Sequence, residues 1–241
     1  MAKTRPHAPL HANRLLNLLP RDEYERLRPK LRPVELSHSQ VLMRAQKPFE
    51  YVYFPARAMV SALTVMADGA TIEVGCVGSE GLAGSSAVLG VLTSPHQNIV
   101  QVPGEALRMD AGELAQACSC DGRLRQLMVQ YHAFFFSQVS QSVACNGLHS
   151  VSQRCCRWLL ITHNGAQSDR LPLTHEFLAM MLGVRRVSVT LVLQPLQEQG
   201  LIRGGRGTIT ILDRRGLEIA ACECYQRVKD EYARLLGVKD S

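Results

Sequence analysis

Between positions 185 and 215 the chain carries six arginines (Arg185, Arg186, Arg203, Arg206, Arg214, Arg215) against two carboxylates, Glu198 and Asp213. A guanidinium is a planar fork of donors. It matches phosphate oxygens, and the O6/N7 edge of guanine, with two parallel hydrogen bonds. Ser188, Thr190 and Gln194 add short polar groups suited to base edges or phosphates. Val187 and Leu191 lie among them, and Val187 suits the methyl of a thymine. The same residue types also make an ordinary solvated surface, so the elements that present them decide between the two readings.

Those elements are two short helices and a hairpin. Thr174 is a suitable N-cap, and Leu178, Met181 and Leu182 share one face of a helix that Gly183 ends. A second helix is expected from about Arg185 to 199. Val189, Val192, Leu193 and Leu196 form its buried stripe, leaving Arg186, Val187, Ser188, Thr190, Leu191 and Gln194 on the opposite face. Gly200 closes it, and LIRGGRGTITIL reads as a hairpin with Gly and Arg at its tip. This is the pattern of a winged helix-turn-helix, whose second helix can enter a DNA major groove. Two amphipathic helices around a glycine also occur in domains that bind no DNA. Arginine at the turn, the helix start and the wing favours the nucleic-acid reading.

Leu173–Ile202 resembles the C-terminal winged helix-turn-helix of the CRP/FNR superfamily of bacterial transcription regulators, and the rest of the chain is compatible in length and order. The resemblance implies a regulator that binds a palindromic operator in double-stranded DNA as a homodimer. RNA polymerase is a further partner it allows. It places Arg186 at the position whose arginine commonly reads a guanine, with Thr174, His175, Arg185, Ser188, Arg203 and Arg206 as further DNA contacts, mainly to phosphates. Where relatives carry an acidic residue and a second arginine, this sequence has Val187 and Leu191, which implies a different operator. Pro195 lies inside the expected recognition helix and removes one ladder bond.

With 241 residues, two domains of ordinary size are expected, a sensor at 10–122 and a DNA-binding unit at 147–241, and between them a long central helix at 123–146 that the resemblance implies pairs with its symmetry mate in the dimer. The formal net charge is +6, and Lys and Arg are absent from 58–107, so the basic excess sits towards the two ends. No run of eighteen apolar residues spans a membrane, and the first twenty residues lack a secretory pattern, so a cytoplasmic location without membrane partners is expected. Eight cysteines (76, 118, 120, 145, 155, 156, 222, 224) match no zinc-ribbon or iron–sulfur spacing and are expected to be buried thiols with no bound metal, a redox-sensing pair being the alternative. Neither a nucleophile elbow, a P-loop nor a paired-carboxylate site is evident, so an enzyme is not expected.

Upstream, a helical lead spans 10–32. From Val34 to Met109 the period becomes two, in VELSHSQVLM, YVYFP, MVSALTVM, TIEVGCV and IVQVPGEALRM. The fold class is therefore α+β: an antiparallel, jelly-roll-like β-roll, a long central helix and a winged helix-turn-helix. In relatives the roll binds a cyclic nucleotide. The matching residues here are Gly78, Glu80, Gly81, Ser85 and Ser86, but no Lys or Arg follows them until Arg108. A buried phosphate without a cation is poorly held, so a cyclic nucleotide is disfavoured, no cofactor is expected, and the GSEG segment reads more simply as a turn. Arg123 to about Cys145 forms a helix with Leu124, Leu127, Met128, Tyr131, Phe134, Phe135, Gln138, Val139 and Ser142 on a broad stripe, apolar enough to need cover on more than one side. Asn146-Gly147 is expected to end it. Helices are expected at 149–163 and, as one piece, from Arg214 to Leu236.

Overall fold

A computed structural model describes residues 12–238. Residues 10–11 of the helical lead and 239–241 of the C-terminal unit lie outside them. After a 3₁₀ turn at Leu16–Leu18 comes α1 (Arg21–Leu27), then seven strands: β1 (Arg32–Leu36), β2 (Val41–Met43), β3 (Tyr51–Pro55), β4 (Met59–Val65), β5 (Thr71–Val77), β6 (Gln97–Val102) and β7 (Gly104–Asp110). They make two antiparallel sheets, ordered β1-β7-β3 and β2-β6-β4-β5. Two sequence runs that read as single strands are each divided between the sheets. VELSHSQVLM breaks between β1 and β2. IVQVPGEALRM breaks at Pro103, which has no N–H to give a ladder, so β6 and β7 part there. Chain crossing from sheet to sheet closes the roll.

The roll is followed by α2 (Ala111–Ala117), α3 (Arg123–Leu148), α4 (Val151–Ala166), β8 (Arg170–Leu171), α5 (His175–Leu182), α6 (Arg186–Glu198), β9 (Ile202–Gly205), β10 (Thr208–Ile211), α7 (Arg214–Ala220) and α8 (Cys224–Leu236). Helix α3 has 26 residues, a length of about 39 Å. It runs through Asn146-Gly147, which was expected to stop it. A glycine in a last turn costs about 1 kcal/mol relative to alanine, too little to end a helix packed along its length. The break comes at His149, whose backbone is extended, because Ser150 and Gln153 form a capping box that starts α4. The expected single C-terminal helix is likewise two, separated where Ala221 turns extended.

One core fills the roll. It joins Val52, Phe54, Val60 and Val100 to Tyr24 and Leu27 of α1 and to Leu127, Met128, Tyr131 and Phe134 of α3. A second core binds the helix-turn-helix together and extends onto the outer face of the larger sheet, where Met59, Leu63, Cys76 and Ile99 meet Trp158, Leu159 and Met181. Strand β4 is therefore buried on both faces from Met59 to Leu63. Val60 points into the roll, and Met59 and Leu63 point towards α4. Polar links tie the same seam. Ser61 donates to Gln101 (2.8 Å), whose amide donates to Thr162 of α4 (2.7 Å), and the Trp158 indole donates to Glu73 (2.9 Å).

Candidate nucleic-acid interface

The recognition surface is built by a short helix holding a longer one. Thr174 caps α5 by accepting the Phe177 N–H at 3.1 Å, so this predicted contact residue also serves as the helix start. Gly183 takes a left-handed φ of 64° and ends α5. It also lies against Ile72 of β5, where a Cβ would approach the Ile72 Cδ1 to 2.6 Å. Arg185 is the extended residue before α6, with no side-chain cap, and its guanidinium is exposed.

Helix α6 buries Val189, Leu193 and Leu196 and presents Arg186, Val187, Thr190, Leu191 and Gln194 to solvent. Val187 and Leu191 are 68% and 66% exposed. Branched apolar side chains flanked by polar ones on a free face fit a surface that meets apolar base-edge groups. His175 Nδ1 and Thr190 Oγ1 lie 3.1 Å apart, joining α5 to α6, and Gln194 donates to Glu198 at 2.9 Å. Ser188 is half-buried in the first turn. Pro195 is accommodated on an exposed position late in α6, where it costs one backbone bond without ending the helix.

The wing is β9 and β10, paired from Ile202↔Ile211 to Gly205↔Thr208, with Arg206-Gly207 at its tip. Arg203 and Arg206 are exposed. The Gln197 amide oxygen accepts the Gly204 N–H at 3.0 Å, fixing wing to recognition helix. Sequence reading missed this contact, because a glutamine next to a glycine-rich hairpin carries no local signal. Among the described residues, no carboxylate lies within ion-pair distance of Arg185, Arg186, Arg203 or Arg206. Their charge is therefore open to an external anion. Arg214 is different: it donates to Asn164 (2.7 Å), Tyr225 (2.9 Å) and Glu218 (3.1 Å), and so holds α7 to α4.

The five predicted effector residues do not come together. Gly78, Glu80 and Gly81 form a tight turn, with the Gly81 N–H bonded to the Gly78 carbonyl (3.0 Å) and Glu80 accepting the Gly78 N–H (2.8 Å). A Cβ on Gly78 would meet Gly165 of α4, and one on Gly81 would meet Tyr131 of α3. Close packing thus accounts for both glycines. Ser85 and Ser86 instead line a cavity of about 350 Å³ between the roll and α3, with His96, His132, Phe135 and Phe136. Ser85 Oγ and His132 Nδ1 are 3.0 Å apart. None of the lining residues is Lys or Arg, and burial lowers the pKa of His96 and His132, favouring neutral rings.

Residues 153–219 match the family model of the Crp-like helix-turn-helix domain. No curated protein matches the chain by sequence. Solved structures with a similar fold include FixK2 from Bradyrhizobium japonicum, at 14% identity over 80% of this chain and 98% of that one, with a TM-score of 0.64. A transcriptional regulator of the crp/fnr family from Eubacterium rectale shares 18% identity over 89% of this chain and 98% of its own, with a TM-score of 0.65. A CRP/FNR-family regulator from Thermus thermophilus shares 20% identity over 79% and 98%, with a TM-score of 0.64. The chain therefore has the fold of the CRP/FNR transcription regulators, and its residues 153–219 are a Crp-like helix-turn-helix domain.

Proposed function

We propose that the protein is a sequence-specific DNA-binding regulator that reads a palindromic operator as a homodimer. The observation that carries this reading is the free face of α6, with Arg186, Val187, Thr190, Leu191 and Gln194 projecting from one side of a helix that the wing braces. In the major groove Arg186 would pair with a guanine and Val187 would lie against a thymine methyl, while Arg185, Arg203 and Arg206 would neutralise phosphates.

A second surface supports the dimer. On α3, Val129, Ala133, Phe136, Ser140, Val143 and Gly147 are all exposed and uncharged. Their spacing alternates four and three, the repeat of a two-helix seam. Pairing α3 with its symmetry mate would cover Phe136 (69% exposed) and Val143 (66%) and would set two recognition helices across a two-fold axis.

The cavity beside α3 supports a sensor role for a small, largely apolar effector. It offers hydroxyls and neutral imidazoles but no cation for a cyclic phosphate. Phe136 borders both the cavity and the α3 seam. An occupant would therefore bias the dimer geometry by differential contact with its two arrangements. Selection of bound duplexes from a random pool, with and without cyclic AMP, tests the whole reading. A palindromic motif that emerges equally in both conditions is the expected result. A non-palindromic motif would overturn the dimer, and dependence on the nucleotide would overturn the account of the cavity.

A further inference from the structure

Of the eight cysteines, Cys120 is exposed, contrary to the expectation of buried thiols, and three of the buried ones form a cluster. Cys145, in the last turn of α3, and His149, at its end, lie against Cys222 and Cys224 at the α7–α8 junction, and one ligand atom from each falls within 4.8 Å of the other three. Cys145 and Cys222 Sγ atoms are 3.5 Å apart, and Cys224 Sγ is 3.5 Å from His149 Nδ1. All three cysteines are buried. From this geometry we propose that the chain binds one Zn²⁺ in a closed tetrahedral Cys145–His149–Cys222–Cys224 site.

Three features around the four residues point the same way. His149 Nε2 lies 3.2 Å from the Glu223 carboxylate. A proton shared there leaves the Nδ1 lone pair facing the thiols, the arrangement by which a carboxylate orients a metal-bound imidazole. The Gln141 amide donates to Cys224 Sγ at 3.0 Å, as it would to a bound thiolate. The third feature is charge. Arg154 and Arg157 of α4 are each 8% exposed, and the Nε of each is buried without a hydrogen-bond partner. The ionisable neighbours of Arg154 are the thiols of Cys145 and Cys222 and the guanidinium of Arg157. Arg157 has the buried Glu73 carboxyl beside it, but the ionisable groups beside Arg154 are neutral thiols and a second cation, which compensate it poorly. Three thiolates, a neutral imidazole and Zn²⁺ carry a net single negative charge and supply the missing partner.

The donor set and compactness select the ion. Thiolate and imidazole suit a soft or borderline metal, and ligand atoms this close surround a single ion better than a multi-iron cluster. All four positions are filled by protein, so the site is structural. It would clasp the end of α3 to the start of α8. Arg154 extends its reach, because its guanidinium donates to the carbonyl of Leu182 at the turn of the helix-turn-helix.

The test is metal analysis of the full chain, purified without a histidine tag and under reductant, followed by Co²⁺ replacement. One zinc per chain is expected, together with the sulfur-to-cobalt charge-transfer and visible bands of a tetrahedral CoS₃N centre. Cys222→Ser and His149→Ala should lose the stoichiometry or shift those bands, while Cys120→Ser, at an exposed cysteine outside the cluster, should keep both. Glu223→Gln, which leaves all four ligands in place, should weaken zinc about 10–100-fold in competition with a chromophoric chelator. Three results would overturn the site: metal-free folded protein that gives no cobalt bands, bands unchanged in both ligand variants, or a Cys145–Cys222 disulfide in the reductant-purified protein.

Discussion

A side chain that reads a base and one that holds a phosphate can look identical on the free surface, and they separate only in how binding responds. Arg186 projects from the first turn of α6 and Arg206 from the wing tip. Arg186→Ala should cost about 1–3 kcal/mol on the selected operator and relax preference at one base position per half-site. Arg206→Ala should weaken binding to all duplexes alike and lower the slope of log K against log salt by about 1. Titrations on matched and single-base-substituted duplexes at several salt concentrations distinguish them, and exchanged phenotypes would reverse the assignments. The outward positions of α6 were legible in the sequence because a buried stripe at helical spacing fixes the opposite face. The partners of those residues were not. That His175 meets Thr190, that Gln194 turns to Glu198 and that Arg214 is spent on Asn164 and Tyr225 depend on rotamers and on elements brought together by the fold.

At the scale of elements, α3 carries two separate stripes. The stripe through Leu127, Tyr131, Phe134 and Gln138 was legible and packs on the roll and α8. For the seam through Val129, Phe136 and Val143, the resemblance implied a dimer helix and the apolar excess called for a second neighbour, but neither named the residues. Which residues remain uncovered depends on where the roll and α8 end. Phe136→Glu places a charge in the middle of that seam, where desolvating it costs several kcal/mol. It should weaken self-association by about 100-fold or more, read by sedimentation at varied concentration, and abolish cooperative occupancy of two half-sites. Wild-type and variant chains that sediment alike would remove α3 as the dimer element. Helix ends were the least legible feature, because the break at His149 follows from the cap of the next helix and the break at Ala221 from chain reversal between α7 and α8. The cysteine cluster was hidden for a related reason: Cys145-x₃-His149 and Cys222-x-Cys224 are 77 positions apart from Cys145 to Cys222, and only the packing of α8 on α3 unites them.

For the whole molecule, the contact between the larger sheet and α4 makes stability depend on pH through one carboxyl. Glu73 of β5 accepts the Trp158 indole with one oxygen, while the other is buried without a partner. Burial raises its pKa from 4.5 to about 7, opposed in part by Ser61, Trp158 and the Arg157 charge. Between those two values the folded chain keeps a proton that the unfolded chain has released. The associated stability is therefore complete below about pH 4.5 and is lost progressively as pH rises through about 7, a change of up to about 3 kcal/mol from this group. Glu73→Gln keeps an acceptor for Trp158 but cannot ionise. Denaturant unfolding measured from pH 4.5 to 8 should show the wild type losing ground to the variant as pH rises, with the gap levelling off above about pH 7. Parallel curves would mean that the sheet–α4 seam admits enough water to keep this carboxyl ordinary. A widening gap would instead mean that the contact between the DNA-binding unit and the roll is weaker at neutral pH and above than in acid, since the same proton sits on the contact that joins them.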